Sequence, residues 1–183
     1  MLFLTILAEQ SKNVKIGVIR IKKRIISVIA VLLFLILMCL SASASDNDTY
    51  LSEEIQQTCI KYGEEYGICP ELLMAMIEKE SLGRPEVVSK VGCVGLMQIY
   101  PKYHQERMEK LGVTDLTDID GNIHVGADYL SELFEEHGEI YMVLMSYNMG
   151  EGKANKLYEQ GKISKYALSI SERAEELERL HGK

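Results

Sequence analysis

A glutamate near the predicted end of a helix is the residue best placed to do chemistry in this sequence. Glu80 lies in the string MIEKESLGRPE, in a helix that Pro70 is expected to begin. A lone glutamate on a helix is more often a solvated surface residue, and we expect this of Glu78. Glu80 differs because a helix C-terminus disfavours negative charge and helps to raise a carboxyl pKa. Packing against the apolar, glycine-rich segment 87–101 would raise the pKa further, as a general acid requires.

The elements that must position Glu80 are predicted to be helices. Apolar residues recur at helical spacing rather than in alternation, and Gly83 to Pro85 ends the helix that carries Glu80. Helices are predicted over 70–81, 122–137, 141–148 and 165–181. Residues 89–100 allow a short β-hairpin. We therefore expect a single all-α domain.

Four short motifs occur in order along the chain. They are ES at 80–81, GLMQIYP at 95–101, N-x-x-x-G-x-x-YL at 122–130 and SYNMG at 146–150. Together they resemble the lytic transglycosylase domain of the soluble type, whose fold is related to goose-type lysozyme. The resemblance covers about residues 49–166. It implies a lysozyme-like domain with a cleft between the Glu80 helix and the region 147–166.

The same resemblance implies a set of site residues. Glu80 would be the sole catalytic carboxylate. The residues expected to bind substrate or to orient the glutamate are Ser81, Met97, Gln98, Tyr147, Asn148 and Tyr166. Ordinary structural roles stay open for three of them, since Ser81 could close its helix, Met97 could be a core residue and Asn148 could cap a helix end. No cofactor is expected, and no metal, because the four histidines lack ligand spacing.

A single carboxylate is compatible with a reaction that does not use water. Hydrolytic glycosidases ordinarily employ two carboxylates. The resemblance implies that Glu80 cleaves the β-1,4 bond between N-acetylmuramic acid and N-acetylglucosamine in peptidoglycan strands, leaving a 1,6-anhydro product. A hydrolytic muramidase and an inactive glycan-binding module are the alternatives. Such an activity would also suit local opening of the wall for a secretion or conjugation apparatus that spans the envelope.

The N-terminal segment predicts export. Residues 25–40 contain no charged residue and follow a basic stretch that ends at Arg24. A helix over 25–44 could cross a hydrocarbon layer of about 30 Å as an anchor, but Ala42-Ser43-Ala44 equally fits a signal peptidase site. We assign 1–24 as a basic cytoplasmic n-region, 25–44 as transmembrane anchor or signal peptide, 45–52 as linker and 53–183 as the transglycosylase domain. That domain would be extracytoplasmic, and the chain would contact the membrane only if the helix is not cleaved.

Charge and cysteine content limit the partners and the covalent structure. The chain has 20 basic and 27 acidic residues, and 1–44 contain six of the basic ones and a single acidic one, so 45–183 carry a formal charge of about −12. Nucleic acid is therefore excluded as a partner, because phosphate binding depends on Lys and Arg. In an oxidising exterior Cys59, Cys69 and Cys93 allow three single pairings. We favour Cys69 with Cys93.

Overall fold

The computed structural model describes residues 49–183. The predicted n-region, the anchor or signal segment and residues 45–48 of the linker lie outside the described residues. The described part contains seven helices: α1 (Glu53–Tyr66), α2 (Pro70–Ser81), α3 (Pro101–Leu111), α4 (Ile119–His137), α5 (Ile140–Met149), α6 (Glu151–Tyr158) and α7 (Lys165–Leu180). Over 49–183 no helix is both long enough and apolar enough to cross a membrane.

The prediction of an all-α domain is confirmed for residues 49–183. The region in which a hairpin was allowed contains isolated antiparallel bridges, from Val94 to Val88 and from Val94 to Ile99, and no named strand. These bridges shape a loop rather than a sheet. The loop follows α2 directly and leads into α3.

Local sequence explains where the helix that carries Glu80 begins and ends. Pro70 occupies the first turn of α2, where a missing N–H costs nothing because that group has no intrahelical partner. At the other end Leu82 has a φ of 57°, in the left-handed region, and Gly83 follows with a φ of 70°. These two residues reverse the chain, so the helix ends at Ser81, one residue after Glu80.

Helix α2 lies in the middle of the core. Every residue from Glu71 to Glu78 is buried, and Leu73, Met76 and Ile77 are completely so. The helix packs against α1 on one side and α7 on the other. Because its neighbours hold it along most of its length, α2 presents its last turn, with Glu80, at a fixed place on the domain surface.

Glu78 is not the solvated residue that the sequence predicted. Its side chain is buried, and its carboxylate accepts hydrogen bonds from Nε and Nη2 of Arg173 at 2.7 and 3.1 Å and from the hydroxyl of Thr49 at 2.5 Å. The expectation was wrong because helix α7 covers this face of α2. The charge is compensated by an ion pair instead of by water.

The favoured disulfide is also contradicted. Cys59, Cys69 and Cys93 are all free thiols. Cys69 precedes the first residue of α2, while Cys93 lines the same cavity as Glu80, near the last turn. A helix of 12 residues is about 18 Å long, whereas the Cα atoms of a disulfide lie about 4.4–6.8 Å apart.

Candidate active site

Glu80 lines a large cavity of the domain. This cavity has a volume of about 1050 Å³. Its walls come from the loop after α2, from α3 and α4, and from the junction of α5 with α6. Polar and aromatic side chains dominate the lining, which includes Glu80, Gln98, Tyr100, Tyr103, His104, Arg107, Tyr129, Glu132, Tyr147, Asn148 and Lys153.

Burial changes the acidity of Glu80. Desolvation raises its pKa, and the opposing effects of a hydrogen bond from Tyr166 and of the Lys79 charge do not cancel this rise. Loss of water disfavours the charged form of a carboxyl group. Glu80 is therefore biased towards the protonated state in which it can donate a proton.

Tyr166 is the direct partner of Glu80. Its phenol donates a hydrogen bond of 2.5 Å to Glu80 Oε1. Burial and the nearby Glu80 charge raise the pKa of Tyr166 well above its ordinary value, so the phenol keeps its proton. Because Oε1 accepts this bond, a protonated Glu80 carries its hydrogen on Oε2.

Tyr147 connects α5 to the loop that follows α2. Its phenol donates a 2.9 Å hydrogen bond to the backbone carbonyl of Met97. Burial and the charge of Glu80 raise the pKa of Tyr147 well above its ordinary value. The ring lies 5.3 Å from that of Tyr129, centroid to centroid. Tyr147 thus fixes the loop beside the cavity while its ring forms part of the wall.

Asn122 also fixes the loop that follows α2, through hydrogen bonds to its backbone. It is fully buried, its Oδ1 accepts from the Met97 N–H at 2.8 Å, and its Nδ2 donates to the carbonyls of Val94 and Leu116 at 3.0 and 2.7 Å. A Cβ on Gly95 would lie 2.1 Å from that Nδ2 atom. Glycine at this position therefore permits the amide to reach the backbone, which is the close approach for which glycine is suited.

Met97 and Ser81 turn inward rather than into the cavity. The Met97 side chain is completely buried, and a Cβ on Gly126 would lie 2.3 Å from its sulfur, so Met97 fills the space that Gly126 leaves. Ser81 is also buried, and its hydroxyl donates to the Ile77 carbonyl at 3.2 Å. Both residues have the core or helix-closing contacts that the sequence left open for them.

Gln98 lines the cavity in an unusual backbone conformation. Its φ is 51°, which costs a non-glycine residue about 1–3 kcal/mol. Its Nε2 donates to the carbonyls of Val87 and Gly95 at 3.2 and 2.9 Å. Both bonds use the nitrogen, so the carboxamide oxygen is the atom suited to accept a bond from a sugar.

The structure thus brings five of the seven expected site residues together. Glu80, Gln98, Tyr147 and Asn148 line the cavity, and Tyr166 contacts Glu80. Asn148 is exposed near the end of α5.

Sequence reasoning missed several residues of the opposite wall. Arg107 binds the carboxylates of Asp128 and Glu132, the latter at 2.6 Å. Burial and the neighbouring Arg107 charge lower the pKa of His104 to about 4, so its imidazole is neutral near pH 7. The His104 ring meets that of Tyr129 at 4.6 Å. Tyr129 belongs to the motif over 122–130, and this motif could have indicated it as a site residue. His104 and Arg107 fall between motifs, so no sequence signal indicated them.

Clusters of potential metal ligands lie elsewhere in the described domain. One contains Cys69, Glu71 and Glu178, and the other Glu136, His137 and Glu151. None of these six residues lines the cavity that contains Glu80. The cavity itself contains the carboxyl groups of Glu80 and Glu132, phenols, amides, a neutral imidazole, the Cys93 thiol and two basic side chains.

Comparison with known proteins gives relatives of one kind. A family model described as the transglycosylase SLT domain matches residues 57–170. The transglycosylase of Enterobacteria phage PRD1 is 35% identical over 91 residues, 50% of this chain and 33% of that protein. The endo-type membrane-bound lytic murein transglycosylase A of Klebsiella pneumoniae is 38% identical over 109 residues, 50% of this chain and 53% of that protein. The chain thus spans between one third and about half of the length of these two relatives.

Solved structures share the fold. An inactive mutant of the lytic transglycosylase Slt from Pseudomonas aeruginosa matches 78% of this chain and 25% of that one, with a TM-score of 0.56 and 20% identity. The 70 kDa soluble lytic transglycosylase of Escherichia coli, also solved in complex with bulgecin A, matches 68% of this chain and 22% of that one, with a TM-score of 0.52 and 26% identity. Since the family model covers more than half of the residues and the lysozyme-like arrangement of helices agrees with it, this chain belongs to the transglycosylase SLT domain family.

Proposed function

We propose that this protein is a peptidoglycan lytic transglycosylase that cleaves the β-1,4 bond between N-acetylmuramic acid and N-acetylglucosamine, with Glu80 as acid and base. The observation that carries the proposal is the half-buried Glu80 carboxyl, held by Tyr166 at the edge of a cavity of about 1050 Å³ in a chain of this family. The names of the relatives, murein transglycosylases, supply the substrate class.

In the first step Glu80 acts as the acid. Its raised pKa favours the protonated form, and the proton on Oε2 passes to the glycosidic oxygen as the bond from that oxygen to muramic C1 breaks. The N-acetyl group of the same sugar stabilises the positive charge that develops at C1. The leaving N-acetylglucosamine departs with a free 4-hydroxyl.

In the second step Glu80 acts as the base. The carboxylate removes the proton of the muramic C6 hydroxyl, and the oxygen closes onto C1 to give the 1,6-anhydro ring. Tyr166, which donates to the carboxylate, stabilises Glu80 between the two steps. The proton lost in the first step is recovered in the second, so the cycle consumes no water.

The remaining cavity residues orient the strand. Gln98, Tyr147 and Asn148 lie on the cavity wall with Glu80 and can bind hydroxyl or acetamido groups of the sugars. Ser81 and Met97 contribute from behind, since one closes α2 and the other anchors the loop that contains Gln98.

One observation keeps a hydrolytic muramidase as the second candidate. Glu132 lines the same cavity as Glu80 and would be the obvious base for water. Its carboxylate is 2.6 Å from Arg107 Nη2, and its side chain is 62% exposed. Both features are those of a surface ion pair rather than of a carboxylate enclosed beside the scissile bond, and they make the anhydro route the stronger proposal.

We further propose that the enzyme acts outside the cytoplasm. The relatives include proteins named as membrane-bound. Residues 1–44 would direct export as anchor or signal peptide, and 53–183 would form the catalytic domain; the family match over 57–170 falls inside these bounds. Anchoring and recruitment by an envelope-spanning apparatus are parts of the proposal that need their own tests.

Product mass tests the reaction directly. Purified peptidoglycan is incubated with the protein, and soluble muropeptides are analysed by mass spectrometry beside Glu80→Gln, Glu132→Gln and the exposed control Glu135→Gln. We expect anhydromuropeptides from all proteins except Glu80→Gln, whose rate should fall about 10²–10⁴-fold.

Other products would redirect the assignment. Muropeptides with a reducing muramic end, lost in Glu132→Gln, would establish the muramidase. Glycan binding without products from any of the four proteins would establish a binding module.

A further inference from the structure

A mixed cluster of sulfur, nitrogen and oxygen ligands joins the beginning of α2 to the end of the chain. The Cys69 sulfur lies 3.0 Å from Glu71 Oε2 and 3.0 Å from Glu178 Oε1. His181 Nδ1 lies 2.8 Å from Glu71 Oε1. Lys183 also binds Glu71, which lies 112 positions earlier in the sequence. Spacing along the sequence therefore does not indicate the cluster.

The thiol of Cys69 lies against two carboxylates and has a single hydrogen to share between them. A thiol has one hydrogen and can donate it to one acceptor. Yet carboxylate oxygens from both Glu71 and Glu178 lie within 3.0 Å of the same sulfur. The thiol hydrogen can serve only one of these two contacts, whereas a cation bound to the sulfur and to both carboxylates would serve the two together.

Burial makes this arrangement more demanding. Glu71 is 1% exposed. Its two carboxylate oxygens contact the Cys69 thiol, the His181 imidazole and the Lys183 ammonium. A nearly inaccessible carboxylate therefore lies among groups that are themselves metal ligands or a cation.

We propose that Cys69, Glu71, Glu178 and His181 form a zinc site that ties the C-terminal end of the chain to the start of α2. The ligating atoms of Cys69, Glu71 and Glu178 all lie within 4.8 Å of one another. Ligands of tetrahedral zinc are roughly 3.3–3.8 Å apart, given bonds of about 2.0–2.3 Å. These three ligands need only small side-chain shifts to receive the ion, and His181, which contacts Glu71, would be the fourth ligand.

The donor set selects the class of metal. A thiolate and an imidazole favour zinc over magnesium or calcium, which prefer oxygen ligands alone. Zinc would also bind the sulfur and both carboxylates at once, because it displaces the thiol proton to solvent and holds the sulfur as thiolate. The proposal is independent of the transglycosylase reaction, since none of the four ligands lines the cavity with Glu80.

Lys183 is the group that zinc must displace. Its ammonium lies 2.8–2.9 Å from the Glu71 carboxylate, and its side chain is 52% exposed at the end of the chain. It can leave without opening the core. Removing it should therefore weaken a purely ionic cluster but strengthen a metal site.

The test uses the full chain in mild detergent, stripped with a chelator and titrated with Zn²⁺ or Co²⁺. We expect Zn²⁺, but not Mg²⁺ or Ca²⁺, to raise Tm by linkage to the folded state. Bound Co²⁺ should give a near-ultraviolet thiolate charge-transfer band. Cys69→Ser should abolish the band. It should weaken Zn²⁺ binding by at least roughly 100-fold, because loss of a direct ligand should cost no less than loss of an outer-shell partner. The control Cys93→Ser should leave the band and the affinity unchanged.

Two further measurements keep the result independent of folding defects. Lys183→Met should bind Zn²⁺ more tightly than the parent, and the exposed control Lys162→Met should not. Zinc X-ray absorption on the parent should show one sulfur among nitrogen and oxygen neighbours. A coordination shell without sulfur, equal binding by Cys69→Ser, or no Zn²⁺ effect on the parent would each overturn the proposal.

Discussion

The phenol of Tyr166, at the start of α7, donates a 2.5 Å hydrogen bond to Oε1 of Glu80, at the end of α2. The two residues are 86 positions apart and meet because α2 and α7 pack along their lengths. The bond opposes the effect of burial on Glu80. Burial favours the neutral acid, and Tyr166 favours the carboxylate that the second step needs.

Tyr166→Phe should therefore shift the pH dependence of the reaction. A hydrogen bond to the charged form lowers a carboxyl pKa, so its removal raises the pKa of Glu80. Activity that needs protonated Glu80 declines as the pH rises through this pKa, and the alkaline limb of kcat/KM should move to higher pH in the variant. The rate at the optimum should fall as well, since the carboxylate intermediate loses its donor. The rate of anhydromuropeptide release, measured from pH 4 to 9, checks both effects.

Tyr158→Phe is the matched control, because Tyr158 is an exposed tyrosine that does not line the cavity. It should retain the pH profile of the parent. An alkaline limb of Tyr166→Phe that stays in place or moves to lower pH would contradict the role assigned to Tyr166.

Asn122→Ala should loosen the loop that contains Gln98. The substitution removes three hydrogen bonds from a fully buried amide and leaves the Met97 N–H without its acceptor. An unsatisfied buried group costs about 1–3 kcal/mol. We expect the free energy of unfolding in urea to fall by about 3 kcal/mol, with KM rising and kcat falling. Asn155→Ala, at an exposed position of α6, should change the free energy of unfolding by no more than about 0.5 kcal/mol. It should leave KM and kcat close to those of the parent.

The sequence predicted α2 well because its signals are local. Pro70 at the first turn and the glycine after Leu82 define both ends, and the apolar spacing between them is helical. The position of Glu80 at the last turn followed from these signals. Contacts between distant residues did not follow, since the same spacing gave no hint that Arg173 would cover Glu78.

The same reason explains the other misses. A disulfide between Cys69 and Cys93 was predicted because the sequence does not show that the length of α2 separates the two residues. His104 and Arg107, on the opposite cavity wall, lie in a part of α3 that contains no motif. The tie between Glu71 and His181 joins residues 110 positions apart. Helix ends can be predicted from neighbours in sequence, whereas ion pairs and cavity walls depend on packing between helices.

Arg173→Met should be strongly destabilising. It leaves the buried carboxylate of Glu78 without its counter-charge, a loss of about 3–5 kcal/mol for a buried pair and towards the lower value here because Arg173 is 26% exposed. Combining it with Glu78→Gln removes the uncompensated charge, so the double variant should be more stable than Arg173→Met alone. Urea unfolding at pH 7 measures both. As a control, Lys61→Met breaks the exposed pair with Asp120 and should cost less than about 1 kcal/mol. Equal losses of stability in Arg173→Met and Lys61→Met would contradict the argument from burial.

Gly126→Ala should overpack the space behind the cavity loop. The new Cβ would lie 2.3 Å from the Met97 sulfur, and crowding of this kind costs about 1–3 kcal/mol. Met97→Ala alone leaves a void and costs about 2–5 kcal/mol. The double variant should lose less than the sum of the two, because the added methyl enters the space that the shortened side chain vacates. Gly152→Ala is the control, since a Cβ there meets nothing within 4 Å and alanine favours helix α6. Additive losses in urea unfolding, or a Gly152→Ala variant as unstable as Gly126→Ala, would show that contact with Met97 is not the reason for glycine at position 126.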